Sequence, residues 1–240
     1  MMAKLSVNLD HIATLRETRG TKYPDPVWAA SIVELAGADG VTLHLRGDRR
    51  HIKERDLALI KETITIPLTL EMAATDEMLN IALKYKPDLV TLVPEREGEK
   101  TTEGGLNLEE NQVPLKEYIK KLRDASIVVS LFIDPDEEAV KLASELGADY
   151  IEINTDAYTL ARNLEEEVEH IRKIEKVANI ATKKGMGVNA GHGLNYKNVK
   201  NIAAIPLIDE LSIGHAIISR AVFVGLENAI KEMLALVKGR

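Results

Sequence analysis

Acid–base residues recur at the ends of short apolar runs in this sequence. Asp10 closes SVNLD, His44 and Arg46 close VTLHLR, Glu71 lies in LTLEM, and Glu152 and Asn154 close IEIN. Successive strand residues face opposite sides. Ser6, Asn8 and Asp10 therefore share one face, Thr42, His44 and Arg46 another, and Thr69 and Glu71 a third, while Val7, Leu9, Leu43, Leu45, Leu68 and Leu70 point the other way. If helices cover the apolar sides, the polar faces are enclosed, and each hydrogen-bonding group left unpaired there costs roughly 1–3 kcal/mol. They must meet one another or a ligand. Imidazoles and carboxylates gathered in this way suit repeated proton transfer near neutral pH.

Two glycine-rich turns add anion chemistry. NAGHG at 189–193 and SIGHA at 212–216 each combine glycine with a histidine, His192 and His215. Glycine lets backbone N–H groups approach a phosphate, and a following helix N-terminus favours the negative charge. A third cluster, HLRGDRRH, holds His44, Arg46, Arg49, Arg50 and His51, with Arg19 in RETRGT. Its inward members, His44 and Arg46, point to a second anion. Asp10, His11, His44, His51, Glu71 and Glu152 have ligand-type side chains but no tight His-x-His or His-x-x-x-His spacing, so no metal is expected.

The elements that position these residues follow from a recurring pattern. Apolar or alternating runs fall near 4–10, 40–46, 66–72, 88–94, 127–133, 149–154, 186–190 and 207–213, with helical stretches between them. Eight strand–helix units in 240 residues is the arithmetic of a (β/α)₈ TIM barrel spanning 1–240 as one domain; a doubly wound open sheet is the competing architecture. Asp134 and Pro135 announce a helix over 135–146 that stops at Gly147 and buries Val140, Ala143 and Leu146. Ile230, Met233, Leu234 and Val237 form the apolar stripe of a last helix. Tyr23, Pro24, Asp25 and Pro26 read as an ordered turn into the first helix, and the polar stretch 95–112 reads as a long loop, a candidate lid. In a barrel the charged residues late in each strand lie where the βα loops converge and catalysis occurs.

Composition narrows the function further. Lys and Arg number 31 against 38 Asp and Glu, a formal charge of −7, so a general nucleic-acid binder is excluded. The absence of cysteine excludes disulfides, thiolate nucleophiles and Cys-ligated metal centres. No apolar run reaches a membrane span of roughly 20 residues, and MMAKLSVNLDHIA lacks the apolar stretch of a signal peptide. A cytoplasmic protein is expected.

VNLDHIATLRETRGTKYPDPVWAA, HLRGDRRHI, LEMAAT, LVPE with TTEGGLN, SLFIDPD, IEINT, VNAGHGLNYKNV and IGHAIISRAVFVGL occur in this order over essentially the whole chain. Together they resemble the pyridoxine 5′-phosphate synthase family, the ring-closing enzymes of vitamin B6 synthesis. The resemblance implies a (β/α)₈ barrel with extra helices, an octamer, and no metal or organic cofactor. It implies condensation of 3-amino-2-oxopropyl phosphate with 1-deoxy-D-xylulose 5-phosphate, with release of inorganic phosphate and water. It further implies that His44 and Glu71 accept protons, His192 donates one, and Glu152 stabilises a transition state. Asp10, His11, Arg46, His51 and Thr101 match the family's contacts to the deoxyxylulose phosphate. Asn8, Arg19, Gly193, Gly214 and His215 match those to the aminoketone phosphate. Gly47 departs from the pattern, in which an acidic residue is common at that point. Other readings are a barrel aldolase or isomerase acting on a single sugar phosphate, a metal-dependent hydrolase, and a non-catalytic phosphate-ligand sensor; the second anion site at Arg46, Arg49 and His51 argues against the first.

Overall fold

The computed structural model describes residues 2–96, 99, 102, 104–110 and 112–239. Eight strands alternate with helices: β1 (Lys4–Asn8), α1 (Asp10–Arg19), α2 (Pro26–Leu35), β2 (Gly40–His44), α3 (Glu54–Thr63), β3 (Leu68–Met72), α4 (Asp76–Tyr85), β4 (Leu89–Leu92) and α5 (Gln112–Asp124). The second half continues with β5 (Val128–Ile133), α6 (Glu137–Leu146), β6 (Tyr150–Asn154), α7 (Asp156–Thr159), α8 (Leu164–Lys183), β7 (Gly187–Gly191), α9 (Val199–Ala203), β8 (Glu210–Ile213), α10 (His215–Val224) and α11 (Leu226–Val237). The strands are all parallel and close into a barrel in sequence order, with Lys4 of β1 opposite Glu210 of β8. This is the (β/α)₈ barrel, not the open sheet. No helix among the described residues is long and apolar enough to cross a membrane.

Strand parity divides the molecule into two environments. Leu5, Val7, Val41, Leu43, Leu68, Leu70, Leu131, Ile151 and Val188 face outward and are wholly buried beneath the helices. Val140, Ala143 and Leu146 of α6 and Ile230, Met233 and Val237 of α11 cover them as the apolar spacing requires. Inside the barrel most side chains are polar, Leu89 and Phe132 being apolar exceptions. Ser6 and Thr42 share a 2.7 Å hydroxyl hydrogen bond, Ser212 reaches Thr42 at 3.4 Å, and Thr91 donates to Glu152 at 3.3 Å. Buried Ser130 Oγ and Asn189 Oδ1 have no hydrogen-bond partner among the described residues.

Local signals were displaced at two places. The α6 N-cap is Asp136, whose carboxylate accepts from the Glu138 and Ala139 N–H groups; Asp134 instead accepts from Asn154 Nδ2 at 2.8 Å. The cap moves because β6 claims the earlier aspartate. Asp25 and Pro26 do start a helix, with Asp25 accepting from the Val27 N–H, but it is α2, the second one. α1 precedes it because Asn8 Oδ1 accepts from the Asp10 N–H and turns the chain at the end of β1. Asp10 is therefore the first helical residue, not the last of a strand.

Candidate active site

The carboxyl ends of β1, β2 and β3 bring Asn8, Asp10, His44 and Glu71 together. His44 and Glu71 are register partners on neighbouring strands. His44 Nδ1 lies 3.8 Å from Glu71 Oε2, and Nε2 lies 3.2 Å from Glu95 Oε1. The His44 backbone N–H donates to Asp10 Oδ1 at 2.8 Å, while Asp10 Oδ2 accepts from Asn8 Nδ2 at 2.9 Å. The buried imidazole is thus fixed by its own main chain and bracketed by two carboxyl groups.

Burial and like charge tune these acids. Burial raises the Glu71 carboxyl well above the usual range, and the carboxylates of Glu152 and Asp10 add to the rise against a hydrogen bond from Asn8. Burial also pushes Glu152 up to about 7, with Glu210 contributing and the Thr91 hydroxyl opposing. Glu95 behaves differently: burial raises it, but the His44 contact, the Gly47 N–H and the Arg46 charge together bring it below its ordinary value. Proton acceptors of different strength are thereby set around one imidazole.

Groups suited to anions lie on two sides. On one, Arg46 is buried just beyond β2 and donates through Nη1 and Nη2 to Glu99 Oε1, each at 3.2 Å. His51 lies nearby, its ring 6.1 Å from that of His44. Its Nδ1 accepts the Ile52 N–H at 2.8 Å, which leaves the ring proton on Nε2; burial lowers its pKa. Arg16 holds this loop by donating through Nη2 to the His51 carbonyl at 3.0 Å while forming a bidentate pair, 2.7 Å on each arm, with buried Asp56. On the other side, Gly214 caps the ten-residue α10 and His215 begins it. A Cβ at Gly214 would come 2.9 Å from Asn8 Oδ1, so only glycine fits against β1. The His11 and His215 rings meet edge to face at 4.8 Å, and burial lowers the His11 pKa.

The β7 loop brings the remaining imidazole. His192 has φ +79°, a left-handed conformation uncommon for a side-chain-bearing residue and worth about 1–3 kcal/mol of strain. Gly193 follows at φ +72°, where a Cβ would come 2.2 Å from Thr159 Oγ1. His192 Nδ1 is 3.0 Å from Asp156 Oδ1 but out of line for a hydrogen bond, so it has no hydrogen-bond partner among the described residues.

One expected residue is not brought in, and another lies outside the described residues. Arg19 is the exposed last residue of α1, roughly 13 Å along the helix from Asp10 at 1.5 Å per residue. The other is Thr101. Gly47 donates its N–H to Glu95 and leaves room for a Cβ, at 3.4 Å from Glu95 Oε2. Glu95, Glu99 and Asp156 were missed in the sequence. Glu95 and Glu99 lie on the loop after β4 and Asp156 opens the four-residue α7, none of them in a periodic run, and the one available signal was their position beyond a strand's carboxyl end.

Asp10, His44 and Glu71 offer ligand atoms within 4.8 Å of one another, a spacing that could hold a metal ion. Both Asp10 oxygens already accept hydrogen bonds, from Asn8 Nδ2 and the His44 N–H.

The family model for the pyridoxal phosphate biosynthesis protein PdxJ matches residues 5–239. The chain belongs to the PdxJ family. It is 56% identical over 237 residues to the pyridoxine 5′-phosphate synthase of Geotalea uraniireducens and to that of Geobacter sulfurreducens, covering 99% of this chain and of each relative. Among solved structures, thiamine phosphate pyrophosphorylase from Pyrococcus furiosus matches with a TM-score of 0.65 at 14% identity, over 98% of this chain and 96% of that one. At that identity the likeness concerns the barrel alone; the PdxJ relatives carry the functional comparison.

Proposed function

We infer that the protein is an enzyme that condenses 3-amino-2-oxopropyl phosphate with 1-deoxy-D-xylulose 5-phosphate to give pyridoxine 5′-phosphate, inorganic phosphate and water. The observation that carries the reading is His44 held between Glu71 and Glu95 at the mouth of a barrel whose whole chain is PdxJ-like. The reaction joins two phosphorylated fragments and is of the transferase type.

In this reading His44 and Glu71 accept protons, His192 donates one, and Glu152 stabilises charge in a transition state. Adding an amine to a ketone, expelling water and phosphate, and closing the ring each move a proton, and carboxyls raised toward neutrality exchange protons readily at that pH. Arg46, His51, Asp10 and His11, with Thr101, hold the deoxyxylulose phosphate. Asn8, Gly193, Gly214 and His215 hold the aminoketone phosphate, the α10 N-terminus facing its anion. Arg19 is given no direct contact from its own subunit, because α1 carries it away. The loop after β4 supplies Glu95 to His44 and Glu99 to Arg46, which supports its role as a lid excluding water from imine intermediates. The absence of cysteine supports a cytoplasmic setting, and exposed Leu15, Trp28 and Leu35 on α1 and α2 support assembly into the octamer.

The test mixes purified protein with both substrates in EDTA and follows phosphate release and the pyridine chromophore, with Glu71→Gln and His192→Asn alongside. Product from the wild type and losses of about 10²–10⁴-fold in the variants are expected. A folded wild type that binds a sugar phosphate but forms no product returns the protein to the single-substrate barrel enzymes.

A further inference from the structure

The loop after β6 is fastened to the loop after β7 at the residue that carries the imidazole. The Thr155 N–H donates to the Gly191 carbonyl at 2.9 Å. Its hydroxyl lies 2.8 Å from the same carbonyl and 2.5 Å from that of His192, sharing one proton between them. Thr155 is wholly buried. The next residue, Asp156, has its N–H tied back to Asn154 Oδ1 at 3.0 Å, and its carboxylate stands 3.0 Å from His192 Nδ1. Phe132 meets the same imidazole edge on, with ring centroids 6.2 Å apart.

We propose that Thr155 and Asp156 are positioning residues for His192: Thr155 holds its left-handed backbone, and Asp156 accepts a hydrogen bond from Nδ1–H so that Nε2 is presented to the substrate. The inference rests on the role given to His192 above. A histidine ring has two nitrogens, and the partner of one decides what the other does. Nδ1 is buried and lacks an aligned partner, with a carboxylate oxygen already at hydrogen-bond distance; a small rotation of the ring completes the bond. Such bonds are often misaligned before substrate binds and tighten in the complex. Asp156 also gives the ring a counter-charge while it holds both protons. The arrangement repeats the logic of a buried acid orienting a catalytic imidazole. Neither Thr155 nor Asp156 need touch substrate.

A double-variant cycle on the full protein separates this from a structural role. Asp156→Ala is expected to lower kcat about tenfold to a hundredfold, with KM for both substrates changed by less than about threefold. Asp156→Asn keeps the shape and an acceptor oxygen and should recover part of that loss. Thr155→Val should show the same split between kcat and KM. Combining Asp156→Ala with His192→Asn should cost nothing beyond His192→Asn alone, because the carboxylate acts through that ring. Losses that multiply overturn the proposal, as does an unchanged kcat in Asp156→Ala beside a large loss in His192→Asn. A wild-type kcat in His192→Asn removes the role of His192 itself, and the positioning claim falls with it.

Discussion

His44 and Glu71 stand opposite each other in the β2–β3 register, with imidazole Nδ1 and carboxylate Oε2 3.8 Å apart. The main chain enforces this adjacency: parallel pairing sets the two Cα positions side by side, and strand parity turns both side chains inward.

Glu71 should therefore control the acidic limb of the pH–rate profile. Its carboxyl is raised first by burial and then by the charges of Glu152 and Asp10, so a proton acceptor at this position loses activity on acidification well above pH 4.5. Glu152→Gln removes a neighbouring carboxyl that raises Glu71, so the limb should move to lower pH, measured on whatever kcat remains. A limb that stays in place or moves up would exclude this coupling.

At the opposite end of the barrel, Glu210 links stability to pH. Burial pushes its carboxyl up to about 7, Asp39 and Asp209 add to the rise, and Lys4 opposes it. A carboxyl whose folded pKa lies above its unfolded value near 4.5 binds more protons when folded. Its contribution is complete below pH 4.5 and disappears as pH rises through 7. Glu210→Gln should consequently lose less Tm than the wild type between pH 5 and pH 8, by a few degrees. Some slope remains, because Glu152 is shifted in the same direction.

The pair of Arg16 and Asp56 should matter to both fold and site. Asp56 is wholly buried, and Asp56→Ala leaves the guanidinium without its bidentate partner, a loss of about 3–5 kcal/mol. In a chain of this size that corresponds to a Tm lower by about 10 °C. Because Arg16 also holds the His51 carbonyl, KM for the deoxyxylulose phosphate should rise in the same variant. Arg16→Met with Asp56→Leu should regain most of the stability without restoring KM. Thermal melts and steady-state kinetics on the two proteins check both halves.

The barrel was legible because most of its strands follow one rule, apolar residues outward beneath helices and polar residues inward, with Leu89 and Phe132 as exceptions. Asn8, His44, Glu71 and Glu152 could be placed on the enclosed face from parity alone. Where a tertiary partner competes with a local signal, the sequence misleads. Asp134 and Asp136 flank the same proline, and only the reach of Asn154 from β6 determines that the second becomes the helix cap. Asp10 continues the strand alternation on paper, yet the Asn8 side chain turns it into a helix. Glu95 and Glu99 belong to a loop and Asp156 opens the single turn of α7, where neither a period of 2 nor one of 3.6 is long enough to be read. Their approach to His44, Arg46 and His192 depends on how separate strand ends converge.

The pairing of β1 with β8 constrains how the chain can fold. Lys4 finds its partner only at Glu210, so an early strand made during synthesis waits for nearly the last one before its edge is closed. Until then β1 presents unpaired backbone groups, the condition that invites pairing with another chain. Closure over so long a separation is entropically slow. The rim that assembles the acid–base residues is therefore completed late, and a nascent chain halted before residue 210 would have a β1 edge that can associate but no closed site.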